Sequence, residues 1–163
     1  TTLNEALRQY LEPRTATVAQ RLKTVETLTN NGVPVFVMMA PIIPGLNEHE
    51  ILSLAKAVAE RGALGIGYTM VRLNGDVGQI FEDWLHKTMP DRAEKVLNKI
   101  REAHGGQLHD SRAGIRMRGE GKIAEIIQDQ FKLAKEKFFA GRQIPKDNLE
   151  LHESFKTAQL RLF

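Results

Sequence analysis

The chain has 163 residues, 42% of them apolar and 26% charged, with a formal net charge of +3. That length supports one domain with a substantial core, and no apolar run approaches the roughly 20 residues a membrane span needs. There is no cysteine, which excludes disulfides, thiolate metal sites and iron–sulfur ligation by this chain and points to a cytoplasmic protein.

Thr1 to Leu3 read as the end of an element, not the start of one. From Thr17 to Asn31 the apolar residues Val18, Leu22, Val25 and Leu28 recur on one helical face, and Gly32 follows where helices commonly end. Residues 33–39 (Val-Pro-Val-Phe-Val-Met-Met) are apolar without alternation, as expected of a parallel strand buried on both faces. A Pro/Gly turn from Pro41 to Asn47 opens a second amphipathic helix through Ile51, Leu54, Ala55 and Val58, stopped by Gly62. A second buried strand is expected from about Leu64 to Leu73. Helix, strand, helix, strand with short links is the rhythm of a parallel α/β sheet.

After Leu73 the rhythm changes. Asn74-Gly75-Asp76 forms a turn before a helix bearing Ile80, Phe81, Trp84 and Leu85. Pro90-Asp91 starts another through Val96, Leu97 and Ile100, closed by Gly105-Gly106. Residues 107–121 are irregular and rich in Gly and Arg, and a long helix runs from about Lys122 to Ala140. Two strands are too few for a closed barrel or a complete doubly wound sheet, so further strands are expected upstream. The expected organisation is the last part of a half-barrel over residues 1–75, a helical extension over 76–142 and a tail over 143–163.

Charge is uneven. Residues 112–146 hold nine Lys or Arg against four acids, a surplus larger than that of the whole chain. Such a segment attracts nucleic acid through phosphate neutralisation, or is simply a solvated helix face. Arg116 and Arg118, on a Gly-flanked loop, are the candidate DNA contacts. Trp84 and the Phe residues of the extension stand at core spacing. The five histidines (His49, His86, His104, His109, His152) do not cluster at metal-ligand spacing, which leaves them surface or structural roles.

Ligands of α/β barrels meet the loops leaving the C-terminal ends of strands. Two such loops are expected, Ala40 to Glu48 and Val71 to Gly75. In the first, prolines fix the backbone, Gly45 permits close approach, Asn47 caps the next helix, and Ile42 and Ile43 stand at the mouth. The same residues also build a plain strand-to-helix turn.

Pro41-Ile42-Ile43-Pro44-Gly45-Leu46-Asn47-Glu48 resembles the G-x-I-x-G-x-x-E element of radical S-adenosylmethionine (SAM) enzymes. Ile43, Gly45 and Glu48 match, and Pro41 replaces the first Gly. Leu11-Glu12-Pro13-Arg14, Tyr68 to Leu73, Phe81-x-x-Trp84-Leu85, Pro90-Asp91-Arg92-Ala93 and Arg118-Gly119-x-Gly121 extend the resemblance over nearly the whole chain. The branch is that of spore photoproduct lyase-like proteins, described as DNA repair photolyases. The resemblance implies the last two strands of a six-stranded partial (β/α) barrel. It places the SAM ribose near Thr2 and the adenine against Ile43, with Gly45 shaping the loop. Backbone groups of Val71, Arg72 and Leu73 would face the adenine edge, and Glu48 is structural. The implied chemistry is reductive SAM cleavage to a 5′-deoxyadenosyl radical that abstracts hydrogen, with DNA lesion repair as the substrate class.

The family's C-x3-C-x2-C motif, which holds the [4Fe–4S] cluster, has no counterpart here. The chain alone is therefore expected to be inactive and to bind neither SAM nor cluster, its first partner being the missing N-terminal part of the same protein. Self-association is expected as a way to cover apolar surface. The alternative is a non-enzymatic module that binds nucleic acid or protein. Finally, Gln159-Leu160-Arg161-Leu162-Phe163 resembles the peptide by which bacterial replication and repair proteins dock on the sliding clamp. In that reading Leu162 and Phe163 enter an apolar pocket while Gln159 and Leu160 complete the motif.

Overall fold

The structure, a computed structural model, describes residues 2–146, 149, 150, 152, 153 and 155. The elements that the described residues form are, in order, α1 (Glu5–Leu11), α2 (Val18–Asn30), β1 (Phe36–Ile42), α3 (Ile51–Ala59), β2 (Gly65–Met70), α4 (Asp76–Thr88), α5 (Pro90–Ala103) and α6 (Gly121–Phe138). A 3-10 turn, Glu48–Glu50, leads into α3. The strands pair in parallel, Phe36 opposite Gly65 and Met39 opposite Tyr68, as expected of a helix–strand–helix–strand order.

β1 begins three residues later than the apolar run predicts and carries Pro41 within it. Proline offers no amide to a ladder, and the pairing register shifts between Met39 and Ile42, around a cis Ala40–Pro41 bond. Helix α1 was not anticipated. It has seven residues, too few to show a period, and forms because the Asn4 side chain accepts from the Leu7 amide at 3.0 Å. Arg8 is buried within it and donates to the Glu12 and Thr15 carbonyls.

Two apolar clusters hold the chain together. In the first, Met39, Ile42, Ile66 and Met70 from the strands pack against Ile51, Leu54, Ala55 and Val58 of α3 and Ala124, Ile127, Phe131 and Ala134 of α6. Those α6 positions recur every three or four residues and so share one helix face. The extension and the strand region therefore have a common core. In the second, Ile43, Leu46, Val71 and Leu73 from the loops leaving the strands pack against Leu85 of α4 and Ala93, Val96, Leu97 and Ile100 of α5. Trp84 is partly buried there beside Phe81, in keeping with a packing role.

The sheet is covered on one face. Val37 and Met39 point to α3 and α6, whereas Phe36 and Met38, on the opposite face, are 50% and 49% exposed. Both lie over glycines of β2. A Cβ built at Gly65 would stand 2.6 Å from the Phe36 ring, and one at Gly67 2.7 Å from the Met38 sulfur. The bare face is thus apolar and flat. Among the described residues no further strand pairs with β1, and Thr2 and Leu3 lie alongside it, lining a small cavity with Val37 and Met38.

These two faces predict opposite responses to substitution. Met39→Ala, which empties a fully buried site, should cost about 2–5 kcal/mol. Phe36→Ser, on the bare face, should cost about 1 kcal/mol or less. Urea unfolding monitored by circular dichroism measures both. A large cost for Phe36→Ser would mean that this face is already covered.

Candidate functional site

The loops leaving β1 and β2 lie at the same end of the sheet, joined where the Val71 amide donates to the Ile42 carbonyl at 2.9 Å. The first is organised by Asn47. Its Oδ1 accepts from the Ile43 amide at 2.7 Å and its Nδ2 donates to the Pro41 carbonyl at 3.1 Å, both across the turn. The expectation that Asn47 caps the next helix is therefore corrected: its side chain turns back into the loop. Gly45 (φ 91°) sits against α5, where an added Cβ would meet Val96 at 3.0 Å. Arg92 donates to the Gly45 carbonyl, and Lys99 pairs with Glu48 at 2.7 Å. Burial alone would raise the Glu48 carboxyl. The Lys99 ammonium and the Gly45 and Glu48 amides outweigh it and hold the group below its ordinary value. Glu48 thus fastens the loop to α5.

Ile42 and Ile43, expected at an open mouth, are buried, at 2% and 3% exposure. The reason is α5, which folds over the loop and encloses Ile43 in the second cluster. The Ile43 amide is also taken, by Asn47. Val71 and Leu73 are buried in the same cluster, whereas Arg72 is exposed and Gly45 half-buried. Thr2 is buried, with its hydroxyl donating to Glu50 at 2.5 Å, and the Leu3 amide donates to the same carboxylate oxygen. The structure brings Ile43, Val71 and Leu73 together and ties Thr2 to the start of α3.

Sequence reasoning missed a buried polar network behind the second loop. His104 follows α5, and its Nε2 lies 2.8 Å from the Val71 carbonyl, so that nitrogen carries the proton. Its Nδ1 has no hydrogen-bond partner and faces buried Asp110 at 3.9 Å. Asp110 accepts from the Arg112 amide and from its Nε and Nη2, and the same guanidinium binds Glu120 at 2.5 Å. A charge every few residues in a Gly-rich stretch is the only trace of this in the sequence.

The same stretch positions the basic segment. The Met70 amide donates to the Met117 carbonyl at 2.8 Å, laying residues 112–118 beside the end of β2. Gly119 (φ 74°) passes between Ala103, Met70 and Ala124, and an added Cβ would stand 3.0 Å from the Ala103 carbonyl oxygen and from Met70 Cε. Arg116 and Arg118 are both exposed on this loop. Among the described residues no group of three His, Cys, Asp or Glu is placed to hold a metal, and no helix is long and apolar enough to cross a membrane. Gln159, Leu160, Leu162 and Phe163 lie outside the described residues. Compared with known proteins, the chain matches no family model, no curated protein and no solved structure.

Hydrogen bonds from the Arg112 side chain, and then its amide, hold Asp110 down at about 2 against the opposing effect of burial. Its ordinary value is 3.8, so the stabilisation it gives is present above that pH and is lost as pH falls through about 2. Thermal melts between about pH 5 and 2 should therefore fall more steeply for the native chain than for Asp110→Asn. Parallel profiles would remove Asp110 from the acid limb.

Proposed function

We propose that this chain is the C-terminal part of a partial (β/α) barrel of the radical SAM type, related to spore photoproduct lyase-like proteins, and that DNA is the substrate class of the whole enzyme. The observation that carries the reading is the bare apolar face of a two-stranded parallel sheet. Parallel strands are ordinarily covered on both faces, and a barrel interior supplies that second cover. The motif Ile43-x-Gly45-x-x-Glu48 at the exit of the first strand adds to it. So does the shared end of the two exit loops, where α/β barrels bind ligands.

The residues present fit SAM in part and the cluster not at all. Without cysteine the chain offers no thiolate to a [4Fe–4S] group, so its ligands and the radical chemistry that SAM supplies belong to the remainder of the protein. What this chain contributes is shape. Ile43 and Leu73 support the loops from within the second cluster, while Gly45 and Arg72 are the outward groups. Thr2, fastened to Glu50, sets the approach of the preceding chain to α3.

The coding sequence preceding residue 1 tests this reading at once: a C-x3-C-x2-C segment is expected. In that longer protein SAM binding, measured by calorimetry, should fall more than tenfold for Ile43→Asp, which puts a charge into a buried apolar site. Ile43→Val should stay within about threefold, because it keeps the site apolar. Thermal melts establish that each variant is folded. Unchanged affinity in a folded Ile43→Asp protein would take Ile43 out of the SAM site.

A second reading rests on the cations of residues 112–146 that make no ion pair among the described residues, Arg116 and Arg118 included: a nucleic-acid-binding module without catalysis. An upstream sequence lacking the three cysteines, together with oligonucleotide binding, would favour it.

A further inference from the structure

Along the outer edge of β2, opposite β1, runs an open groove of about 570 Å³ between the strand and α6. Its polar lining is Tyr68, Arg118, Gln128, Lys132, Lys135 and Glu136. Gln128, Lys132 and Lys135 are spaced four and three residues apart, so they form one stripe along α6. Arg118 reaches the same groove from the loop pinned at Gly119.

Two independent features mark this groove as a binding site. The Tyr68 ring stacks on Phe131, with centroids 4.2 Å apart, and its hydroxyl is withdrawn from solvent and has no hydrogen-bond partner among the described residues. Leaving a buried hydroxyl unpaired is unfavourable, so such groups generally have a partner in the working state. The second feature is charge. Arg118, Lys132 and Lys135 make no ion pair among the described residues, whereas Arg112, close in sequence, is held by Asp110 and Glu120. Among the described residues that line the groove, these three cations are accompanied by one carboxylate, Glu136.

We propose that this groove binds a phosphate group, which accepts from the Tyr68 hydroxyl while Arg118, Lys132 and Lys135 neutralise it. The chemistry selects this ligand. Burial pushes the Tyr68 phenol up, against the pull of Arg118, so the hydroxyl remains a donor. A phosphate offers several acceptor oxygens to donors converging from different directions, and Arg and Lys are its usual partners. A water would satisfy the hydroxyl and leave the cations unpaired. The phosphate of a free metabolite and that of a polynucleotide backbone share this chemistry. The site does not rest on the radical SAM reading, since its residues lie on the outer edge of β2 and on α6.

The test is binding to the 163-residue chain of inorganic pyrophosphate, by calorimetry, and of a labelled single-stranded oligonucleotide, by anisotropy at several salt concentrations. Tyr68→Phe keeps the ring stack and removes only the hydroxyl donor; it should weaken binding about tenfold, the scale of a hydrogen bond to a charged group. The double variant Lys132→Ala, Lys135→Ala should weaken it at least as much and lower the oligonucleotide salt slope by about 1 to 2. Lys23→Ala, which removes a cation from α2, should bind as the native chain does. Thermal melts check that every variant is folded. Pyrophosphate binding with this pattern identifies a small phosphorylated ligand, and oligonucleotide binding alone identifies a polynucleotide backbone. No binding of either probe, or native affinity in Tyr68→Phe, would overturn the proposal.

Discussion

The rest of the structure depends on the pairing of two parallel strands whose cover is one-sided. Met39 and Ile66, both fully buried, join the sheet to α3 and α6 in the first cluster. Parallel strands need a crossover between them, and here α3 supplies it while also covering the sheet. That arrangement commits one face entirely. The opposite face receives Phe36 and Met38 over two glycines, a flat apolar surface that two strands cannot fold upon themselves. Loss of side chains at Gly65 and Gly67 lets those two large groups lie down across the sheet. The same pair of positions would let another layer approach the backbone closely.

Beyond the strand ends a separate physical problem arises, because two loops must leave the sheet without stranding their polar groups. The loop after β1 solves it internally, through the two hydrogen bonds of Asn47, and externally, through Arg92 and Lys99 of α5. The loop after β2 is held from behind by His104. Both sets of contacts come from α5 or the residue that follows it. The second cluster therefore does more than add apolar burial: it makes α5 the support of both exits. Conversely, enclosing Ile43 leaves the outward surface of the loops to Gly45 and Arg72.

Much of this was legible in the sequence because it rests on period and composition. An apolar run without alternation marked the first strand and a second buried strand was expected at about 64–73, and the spacing of Leu54, Ala55 and Val58, or of Val96, Leu97 and Ile100, marked helices with a single buried face. What escaped was local chemistry. Helix α1 depends on one Asn4 cap in a stretch too short for periodicity. The displacement of β1 depends on whether Pro34 or Pro41 enters the ladder, and apolarity does not distinguish them. The burial of Ile43 depends on α5 returning to the loop across some fifty residues of sequence, a contact that no local pattern carries. The His104–Asp110–Arg112–Glu120 network joins residues that look like an ordinary polar loop, since Gly and Arg in such a stretch are equally at home in solvent.

That network also explains why the basic segment is not uniform. Arg112 is consumed by two carboxylates, and Arg142 donates to the Ala63 and Ala59 carbonyls, so neither charge is offered outward as a free cation. The holding of Arg112 fixes the start of the loop, and the narrow passage at Gly119 fixes its end. Between them the backbone bonds from Met70 to Met117, which delivers Arg118 to the edge of β2 beside Tyr68. A side chain larger than glycine at position 119 would press on the Ala103 carbonyl and on Met70 together, moving the loop away from the strand. The charge surplus counted along the sequence is thus sorted by the fold into two kinds of cation. Some close the structure, and others, on the loop and on α6, make no ion pair among the described residues and line one groove with Tyr68.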